Sequence, residues 1–334
     1  MMDKLLVTGG AGFIGSNFVL YALERWPDAE IVVLDKLTYA GNLENLKAVR
    51  DAPRFTFIKG DIADEDVVRR AMAGCDAAIN FAAETHVDRS ILFPREFVWT
   101  DVVGTFTLLE AARDLGVKKF VQVSTDEVYG SVDEGAFDEL AALNPSSPYS
   151  ASKAGGDLLA LAYAKTFDAP VLVARSTNNY GPYQYPEKFI PLFITNALDG
   201  RPLPVYGDGR QVRDWLHVRD NCEALALLLE RGEAGTVYNV AGDCELENID
   251  VARRILKALG KDEDLITYVK DRPAHDRRYA LSCERVKALG WRAETPVDAG
   301  LAETVRWYVE HEDWWRPLKG PSFDEYYRRQ YGGL

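Results

Sequence analysis

Up to about residue 177, short apolar runs alternate with longer segments in which apolar residues recur every three or four positions. The short runs have the length and the β-branched content of strands buried on both faces, and the longer segments have the period of a helix. Regular strand–helix alternation predicts an α/β fold with a doubly wound parallel sheet of the Rossmann type. The predicted strands are KLLVT, IVVLD, FTFIKGDI, DAAINFAA, FVQVST and PVLVARS.

Helical segments fill most of the intervals between these strands. The pattern predicts helices over about residues 17–26, 64–73, 94–115 and 153–167, and one amphipathic helix over about 297–315. The polar stretch from Glu84 to Arg89 is expected to be a loop, because it has no helical period.

The alternation weakens after residue 177, where Pro, Tyr and Trp become frequent. The later run TVYNVAG has the apolar character of the first strands and is expected to return to their sheet. We therefore predict two domains. Residues 1–177 and about 212–242 would form the Rossmann domain. Residues about 178–211 and 243–334 would form a smaller mixed α/β C-terminal domain that binds the substrate.

A glycine-rich turn follows the first strand. The spacing of Gly9, Gly12 and Gly15 allows a tight turn, brings a pyrophosphate close to the backbone and packs the next helix on the strand. Asp35 ends the second strand about twenty residues later, where a carboxylate accepts hydrogen bonds from the adenosine ribose and repels a 2′-phosphate. These residues predict NAD rather than NADP, although the basic neighbour Lys36 could tolerate a phosphate.

Several predicted strands end in residues that would meet at one edge of the sheet, since doubly wound sheets bind ligands beyond the carboxyl ends of their strands. These residues are Thr8, Asp35, Asp61, Ala82 and Thr125. Asp61 is well placed to reach an adenine amino group.

Tyr149 and Lys153 lie four positions apart in a predicted helix and therefore on one face of it. The pKa of tyrosine is about 10 in water, too high for a base at neutral pH. An ammonium group one turn away, together with a cationic nicotinamide ring, would lower that pKa, so that Tyr149 could remove a hydroxyl proton while hydride leaves the same carbon. Thr125 is a candidate to hydrogen-bond the same oxygen.

Asp126 and Glu127 add two carboxyl groups at the same strand end. A dehydrogenase or an epimerase needs only the Tyr–Lys pair, so two further acids indicate a second proton transfer. Once a sugar carbinol has become a ketone, the neighbouring C–H is acidic. Glu127 could remove that proton while Asp126, kept protonated by burial, donates one to a departing hydroxyl. The alternative is that one acid merely caps or hydrogen-bonds a turn.

Composition limits the partners. The net charge of −13 argues against nucleic-acid and anionic-membrane partners. Arginines nevertheless cluster with aromatic residues in RPLPVYGDGRQVRDWLHVRD and DRPAHDRRY, as a phosphate and a base would require, with solvated surface charge as the alternative.

The cysteines and the apolar runs indicate the compartment. Cys75, Cys222, Cys244 and Cys283 lie far apart without CxxC spacing, which predicts reduced thiols and neither a metal site nor a disulfide framework. No apolar run is long enough to span a membrane, and the N-terminus lacks a signal-peptide pattern. A cytoplasmic location is therefore expected.

Taken together, several motifs resemble the extended short-chain dehydrogenase/reductases and, within them, the family of dTDP-glucose 4,6-dehydratases. They are TGGAGFIG, LDKLTYAGN, AAETHVDRSI, STDEVYG, YSASK, NNYGPYQYPEKFIP and RDWLHVRD. The resemblance covers about Lys4 to Trp315, and STDEVYG is its most specific part. It implies conversion of dTDP-glucose to dTDP-4-keto-6-deoxyglucose by C4 oxidation, elimination of water across C5 and C6, and return of hydride to C6. NAD would be regenerated in each turnover, and the pathway implied is deoxysugar biosynthesis of the dTDP-rhamnose type.

The resemblance also implies roles for individual residues. Catalysis would use Thr125, Asp126, Glu127, Tyr149 and Lys153 as above. NAD would contact Gly9, Gly12, Phe13, Ile14, Gly15, Asp35, Lys36, Thr38, Asp61, Ile62, Phe81, Ala82, Ala83, Thr100, Tyr149, Lys153 and Asn179. The nucleotide sugar would contact Thr85, His86, Thr125, Asn178, Lys188, Phe189, Pro204, Tyr206, Arg213, Asn248, Arg272 and His275, with Pro204 and Tyr206 flanking the base. Ala274 stands where the family more often has glycine, and a minor effect on backbone approach is expected.

A homodimer through paired helices, here about 95–115 and 150–167, is implied as well. Core burial would explain the apolar residues of these helices equally well. The residues concerned are Leu108, Leu109, Leu158, Leu161 and Tyr163.

A 4-epimerase or a UDP-glucuronate decarboxylase of the same superfamily is the nearer alternative, but neither chemistry requires both Asp126 and Glu127. A catalytically silent NAD-binding regulator would have no reason to retain the Tyr–Lys pair with the acids. Thymine and uracil differ by one methyl contact, so the identity of the base stays open at this point, as does the downstream deoxysugar.

Overall fold

A central sheet of seven parallel strands organises the protein, whose computed structural model describes residues 2–271 and 275–332. The strands are β1 (Lys4–Thr8), β2 (Glu30–Asp35), β3 (Phe55–Lys59), β4 (Ala77–Asn80), β5 (Lys119–Thr125), β6 (Val171–Ser176), β7 (Asn178–Tyr180), β8 (Leu203–Tyr206), β9 (Val212–His217), β10 (Val237–Val240), β11 (Glu245–Glu247) and β12 (Ile266–Val269). The large sheet has the order β10-β6-β5-β4-β1-β2-β3. The winding direction reverses between β1 and β4, which confirms the predicted doubly wound α/β fold.

Thirteen α-helices are found among the described residues. They are α1 (Phe13–Arg25), α2 (Glu65–Met72), α3 (Val87–Leu92), α4 (Pro94–Phe97), α5 (Thr105–Asp114), α6 (Pro148–Phe167), α7 (Phe189–Leu198), α8 (Val218–Arg231), α9 (Asn248–Leu259), α10 (Glu284–Ala288), α11 (Val297–Glu310), α12 (Glu312–Trp315) and α13 (Pro321–Tyr331). Within residues 2–271 and 275–332, every helix is too short or too polar to cross a bilayer.

One loop prediction and two helix predictions need correction. The loop predicted at Glu84–Arg89 is partly helical, because α3 begins at Val87. The helix predicted over 94–115 contains a π-helical segment at Val98–Gly104 between α4 and α5. The helix predicted over 297–315 ends at Glu310, since His311 leaves the helical conformation before α12 begins.

Successive residues of the central strands face two different cores, as a sheet covered on both faces requires. Leu5 and Val7 of β1 pack in a core with α1 and α8, whereas Leu6 packs in a second core with α2, α5 and α6. This double burial explains why the strands read as continuous apolar runs.

A smaller part of the molecule, built on a third core, lies beyond the carboxyl edge of the large sheet. It contains a three-stranded sheet of order β11-β9-β7 and a parallel pair, β8 with β12, with α7, α9 and α11 packed around them. The run TVYNVAG returns to the large sheet as β10, as predicted. Residues 212–217 pair with β7 in the three-stranded sheet, while the following helix α8 packs on α1. The predicted domain boundaries remain a prediction.

Candidate active site

Two adjoining cavities open at the carboxyl edge of the large sheet. The first lies over the glycine turn and the ends of β2 and β4, and the second lies between that edge and the smaller sheets. Tyr149, Gln184 and Lys188 line both cavities. A ligand in one cavity would therefore meet a ligand in the other beside the phenol of Tyr149.

The first cavity brings together all the predicted cofactor residues except Asn179, which lines the second cavity. The predicted residues on its wall are Gly9, Gly12, Phe13, Ile14, Gly15, Asp35, Lys36, Thr38, Asp61, Ile62, Phe81, Ala82, Ala83, Thr100, Tyr149 and Lys153. Thr85, predicted to bind the substrate, also lines this cavity.

The glycine turn leaves room for an anion at the start of α1. Gly9 has φ +67°, and a Cβ there would lie 2.5 Å from the backbone nitrogen of Ala82. A Cβ on Gly15 would collide with the carbonyl of Gly9. Gly12 precedes α1, whose first turn holds no acidic residue. The N–H groups of that turn are thus available to a phosphate, which the positive end of the helix favours.

Asp35 lines the first cavity and also accepts hydrogen bonds from the backbone around the glycine turn. Its Oδ2 accepts from the backbone N–H of Ala11 at 2.9 Å, and its Oδ1 accepts from that of Leu37 at 2.8 Å. Each oxygen has a second lone pair for a ribose hydroxyl. Lys36 Nζ lies 2.7 Å from Asp61 Oδ2, so its charge is already paired within the protein. This ion pair offsets the positive charge that could otherwise attract a 2′-phosphate to Lys36.

Tyr149 and Lys153 lie in the first turns of α6, which starts with a capping box between Ser147 and Ser150. Lys153 is buried, and its ammonium donates to the carbonyl of Val123 at 2.8 Å. This bond fixes the ammonium group against β5, on the wall of the first cavity.

The expected fall in the pKa of Tyr149 is not produced by the protein alone. Burial, followed by the charges of Glu127, Asp101 and Asp126, raises the pKa of the phenol well above its ordinary value. A hydrogen bond with Thr125 acts in the opposite direction. The prediction considered Lys153 but not three carboxyl groups from other segments, so the protein's own groups hold Tyr149 as a neutral phenol.

Asp126 and Glu127 begin a 3₁₀ turn (Asp126–Tyr129) directly after β5, where the Thr125 hydroxyl accepts from the backbone N–H of Glu127 at 3.3 Å. Asp126 is 3% exposed, and burial followed by the charge of Glu127 raises its pKa to about 8. The predicted protonation of Asp126 at neutral pH is thereby supported. Glu127, in contrast to the buried Asp126, lines the second cavity.

Replacing Asp126 by Asn should change how stability depends on pH. The pKa of this carboxyl group is about 8 in the folded state and about 3.9 in the unfolded state. The group therefore lowers the free energy of unfolding as pH rises between these values, with a slope of up to about 1.4 kcal/mol per pH unit. Wild-type protein should therefore lose stability relative to Asp126→Asn from pH 5 to about pH 8. Thermal unfolding at several pH values measures this. The exposed Asp133→Asn should show no such divergence, and parallel curves for Asp126→Asn would contradict the prediction.

The second cavity collects most of the predicted substrate residues. It is lined by His86, Asn178, Lys188, Phe189, Pro204, Tyr206, Arg213, Asn248 and His275, together with Glu127, Tyr149 and Asn179. Thr125 is buried behind this wall, where its hydroxyl donates to Asp126 Oδ1 at 3.1 Å. Arg272 and Ala274 lie outside the described residues.

Two cations of this cavity donate hydrogen bonds to neutral oxygen atoms. Lys188 Nζ donates to the hydroxyl of Thr85 at 2.8 Å. The guanidinium of Arg213 donates to the carbonyl of Asp276 at 2.9 Å and lies 4.3 Å from the ring centroid of Tyr279. Pro204 and Tyr206 of the predicted base site line the same cavity, and positive charge on its wall suits a diphosphate.

Several side chains at the site were not predicted from the sequence, and three of them matter for its chemistry or its shape. Tyr331 of α13 lines the second cavity with its ring centroid 5.7 Å from that of Tyr206. Trp215 of β9 lines the same cavity. Asp101, in the π-helical segment, accepts from the hydroxyl of Ser152 at 2.6 Å, and burial raises its pKa to about 6. The run RDWLHVRD contained a signal for Trp215, but nothing in the sequence around Tyr331 or Asp101 marked them.

The sheet, the glycine turn and the Tyr149–Lys153 pair define an extended short-chain dehydrogenase/reductase. A family model described as GDP-mannose 4,6 dehydratase matches residues 6–304, and the chain belongs to this family.

Individual relatives agree with this assignment. The chain is 51% identical over 324 residues to a dTDP-glucose 4,6-dehydratase of Streptomyces niveus, with 96% of each chain covered. It is 51% identical to DesIV, the dTDP-glucose 4,6-dehydratase of Streptomyces venezuelae, solved with NAD bound, with a TM-score of 0.93 over 95% of this chain and 100% of that one. The UDP-glucose 4-epimerase of Thermus thermophilus, also solved with NAD, is 33% identical with a TM-score of 0.86, over 92% of this chain and 99% of that one.

Proposed function

We propose that the protein is an NAD-dependent lyase that converts dTDP-glucose to dTDP-4-keto-6-deoxyglucose. The observation that carries this proposal is the pair of acids with opposite roles beside Tyr149, a buried Asp126 that keeps its proton and a Glu127 that faces the substrate cavity. An epimerase needs the Tyr–Lys pair and no such acids. Identities near 50% to dTDP-glucose 4,6-dehydratases over nearly the whole chain support the same substrate.

The first cavity fits NAD. The start of α1 would hold the pyrophosphate, Asp35 the adenosine ribose, and Tyr149 with Lys153 the nicotinamide ribose end. The pairing of Lys36 with Asp61 leaves Asp35 to disfavour a 2′-phosphate. Bound NAD supplies a hydride acceptor and later returns the hydride to the substrate, so that it is unchanged over one turnover.

Tyr149 is placed to move the proton of the C4 hydroxyl, because it lies where the two cavities meet. Its phenolate must form at that moment, since the carboxyl groups around it oppose ionisation in the protein alone. The hydrogen bond with Thr125 favours the anion, and the ammonium group of Lys153, which lines the same cavity, would act in the same direction.

Glu127 and Asp126 then divide the elimination between them. The ketone at C4 acidifies the C5–H, whose proton Glu127 would take from the substrate cavity. The bond from C6 to its hydroxyl breaks as Asp126 donates its proton, so the leaving group departs as water and a C5–C6 double bond forms. This step requires a protonated Asp126, and burial together with the charge of Glu127 raises the pKa of Asp126 toward that state.

Incubation of the protein with dTDP-glucose and NAD tests the proposal. A 4-keto sugar, detected by its absorbance in alkali, should accumulate without net formation of NADH. Accumulation of NADH would indicate a simple dehydrogenase, and a C4 epimer as product would indicate an epimerase. The same assay with UDP-glucose compares the two bases.

We infer that the protein forms a homodimer through the surface of α3, the π-helical segment, α5 and α6. Large apolar side chains stand about half exposed on this surface, at Ile91, Leu92, Phe93, Val98, Trp99, Phe106 and Leu158. A second copy can cover them all, since a two-fold axis sets one patch against itself. Among the apolar residues predicted for the paired helices, Leu108, Leu109 and Tyr163 are buried in the core. Leu161 is partly buried and packs against the same core.

Trp99→Glu should convert the dimer to a monomer. Trp99 is 52% exposed on this surface, and burying one glutamate from each copy in an apolar interface would be strongly unfavourable. Sedimentation measures the change in mass. Leu140→Glu, which charges the 81% exposed Leu140 outside the surface, should leave the mass unchanged. An unchanged mass for Trp99→Glu would locate any dimer contact elsewhere.

The proposed location of the reaction is the cytoplasm. All four cysteines, Cys75, Cys222, Cys244 and Cys283, are free thiols, three of them buried, which suits a reducing compartment.

A further inference from the structure

The second cavity contains a buried donor that has no hydrogen-bond partner within the protein. Trp215 is 6% exposed, lines this cavity, and its Nε1–H meets no acceptor among the described residues. A buried N–H without an acceptor costs free energy, and such groups are rare in native proteins. An indole of this kind on the wall of a ligand cavity is typical of a group whose partner is the ligand.

The strand β9 aims Trp215 at the same space as Arg213. Side chains two positions apart on a strand share a face, and both residues line the second cavity. Asp214 between them points away and accepts from the backbone N–H groups of Gly242 and Cys244 at 3.0 and 2.7 Å. Trp215 also pairs in register with Asn178 of β7, another residue of this cavity.

The ring of Trp215 is held firmly. Phe189 stacks on it with ring centroids 5.9 Å apart and an interplanar angle of 27°, and Tyr180 meets it edge-on at 6.4 Å. The direction of the N–H is therefore set before a ligand arrives, so little rotamer entropy is lost on binding.

The other unpaired atoms of this wall have the opposite hydrogen-bonding character. Four further residues that line the second cavity, Asn178, Asn179, Gln184 and Glu187, each carry a buried side-chain oxygen without a partner among the described residues. Oxygens of this kind accept from the hydroxyl groups of a hexose. A diphosphate has no donor to offer them, but its oxygens accept from an N–H.

We propose that the Nε1–H of Trp215 binds an oxygen of the substrate diphosphate and is a further determinant of affinity. This inference rests on the proposed function, because it takes a nucleoside diphosphate sugar as the ligand of the second cavity. Lys188 and Arg213 supply the positive charge there, and the indole adds a neutral donor of fixed direction.

Trp215→Phe removes the N–H and keeps an aromatic ring. Calorimetric titration with dTDP should show a Kd about tenfold higher than that of the wild type, equivalent to about 1.4 kcal/mol. Thymidine, which lacks the diphosphate, should bind both proteins equally. The KM for dTDP-glucose should rise by the same factor with kcat within about twofold, since a diphosphate contact is the same in the ground and transition states.

Trp291→Phe is the matched control. Trp291 is also 6% exposed, but its Nε1 donates to the carbonyl of Asp220 at 3.1 Å, and it does not line the cavity. This control should lose more thermal stability than Trp215→Phe in the absence of ligand, because it alone breaks a hydrogen bond, and it should bind dTDP like the wild type.

Several results would overturn the inference. An unchanged Kd of Trp215→Phe for dTDP, combined with a stability loss as large as that of Trp291→Phe, would show that an internal water satisfies the indole. Equal weakening of thymidine binding would assign the N–H to the nucleoside. Measurements on the wild type separate this inference from the proposed function. If the wild type turns over dTDP-glucose and Trp215→Phe has no effect, only the inference is refuted. If the wild type does not bind dTDP, both are refuted.

Discussion

Glu127→Gln should allow oxidation of dTDP-glucose at C4 but stall the elimination of water. The amide keeps the shape of the side chain and cannot accept the C5 proton, so we expect turnover to fall by about 10²–10⁴-fold, the usual contribution of a general base. Reduced nicotinamide should then appear transiently, because the enone that takes the hydride back is not formed. Rapid mixing with detection of its near-ultraviolet absorbance measures this.

A second readout does not depend on the cofactor. In heavy water the wild-type product should carry solvent deuterium at C5. In Glu127→Gln the amount of deuterated product formed per unit time should fall in proportion to turnover. Glu134→Gln, an exposed glutamate in the segment that follows the 3₁₀ turn, is the control and should behave as wild type. Wild-type turnover in Glu127→Gln, or a slow variant without reduced nicotinamide, would contradict the assigned role.

Tyr149→Phe should block the reaction one step earlier. Without the phenolic oxygen the C4 hydroxyl keeps its proton, so we expect kcat to fall by about 10²–10⁴-fold and no reduced nicotinamide to appear. Calorimetric titration should show dTDP binding close to that of the wild type, since the phenol lies at the junction of the cavities rather than beside the diphosphate. Quantitative product assays and rapid mixing distinguish this variant from Glu127→Gln.

The matched control for Tyr149→Phe lies on the same helix. Tyr163 of α6 donates its hydroxyl to Glu110 at 2.6 Å and lines neither cavity. Tyr163→Phe should retain activity. If Tyr149→Phe still reduced the nicotinamide at the wild-type rate, another group would be the acid–base residue of the first step.

The parts of the site that are local in sequence were predictable. The glycine turn, Asp35, the acids after β5 and the Tyr149–Lys153 pair each lie within one strand end or one helical turn, where spacing alone determines which side chains share a face. The apolar runs likewise determined the fold, because a strand covered on both faces has no polar alternation.

The parts that depend on tertiary contact were not predictable. Tyr331 reaches the predicted base site because α13 brings its ring next to that of Tyr206, and no local pattern in the sequence indicates this contact. Asp101 approaches the catalytic helix from within a π-helical segment, whose extra residue shifts the helical period. The direction of the pKa shift of Tyr149 depends on burial and on charges from separate segments, and a sequence shows neither.

Tyr149, Gln184 and Lys188 form a wall that the two cavities share. Substrate and product can enter and leave on one side of this wall while the nucleotide on the other side stays in place. A catalyst that takes a hydride and gives it back in the same cycle has no use for exchanging that nucleotide. Each turnover then requires the exchange of one ligand instead of two, and the cell's ratio of oxidised to reduced nucleotide does not determine the direction of the reaction.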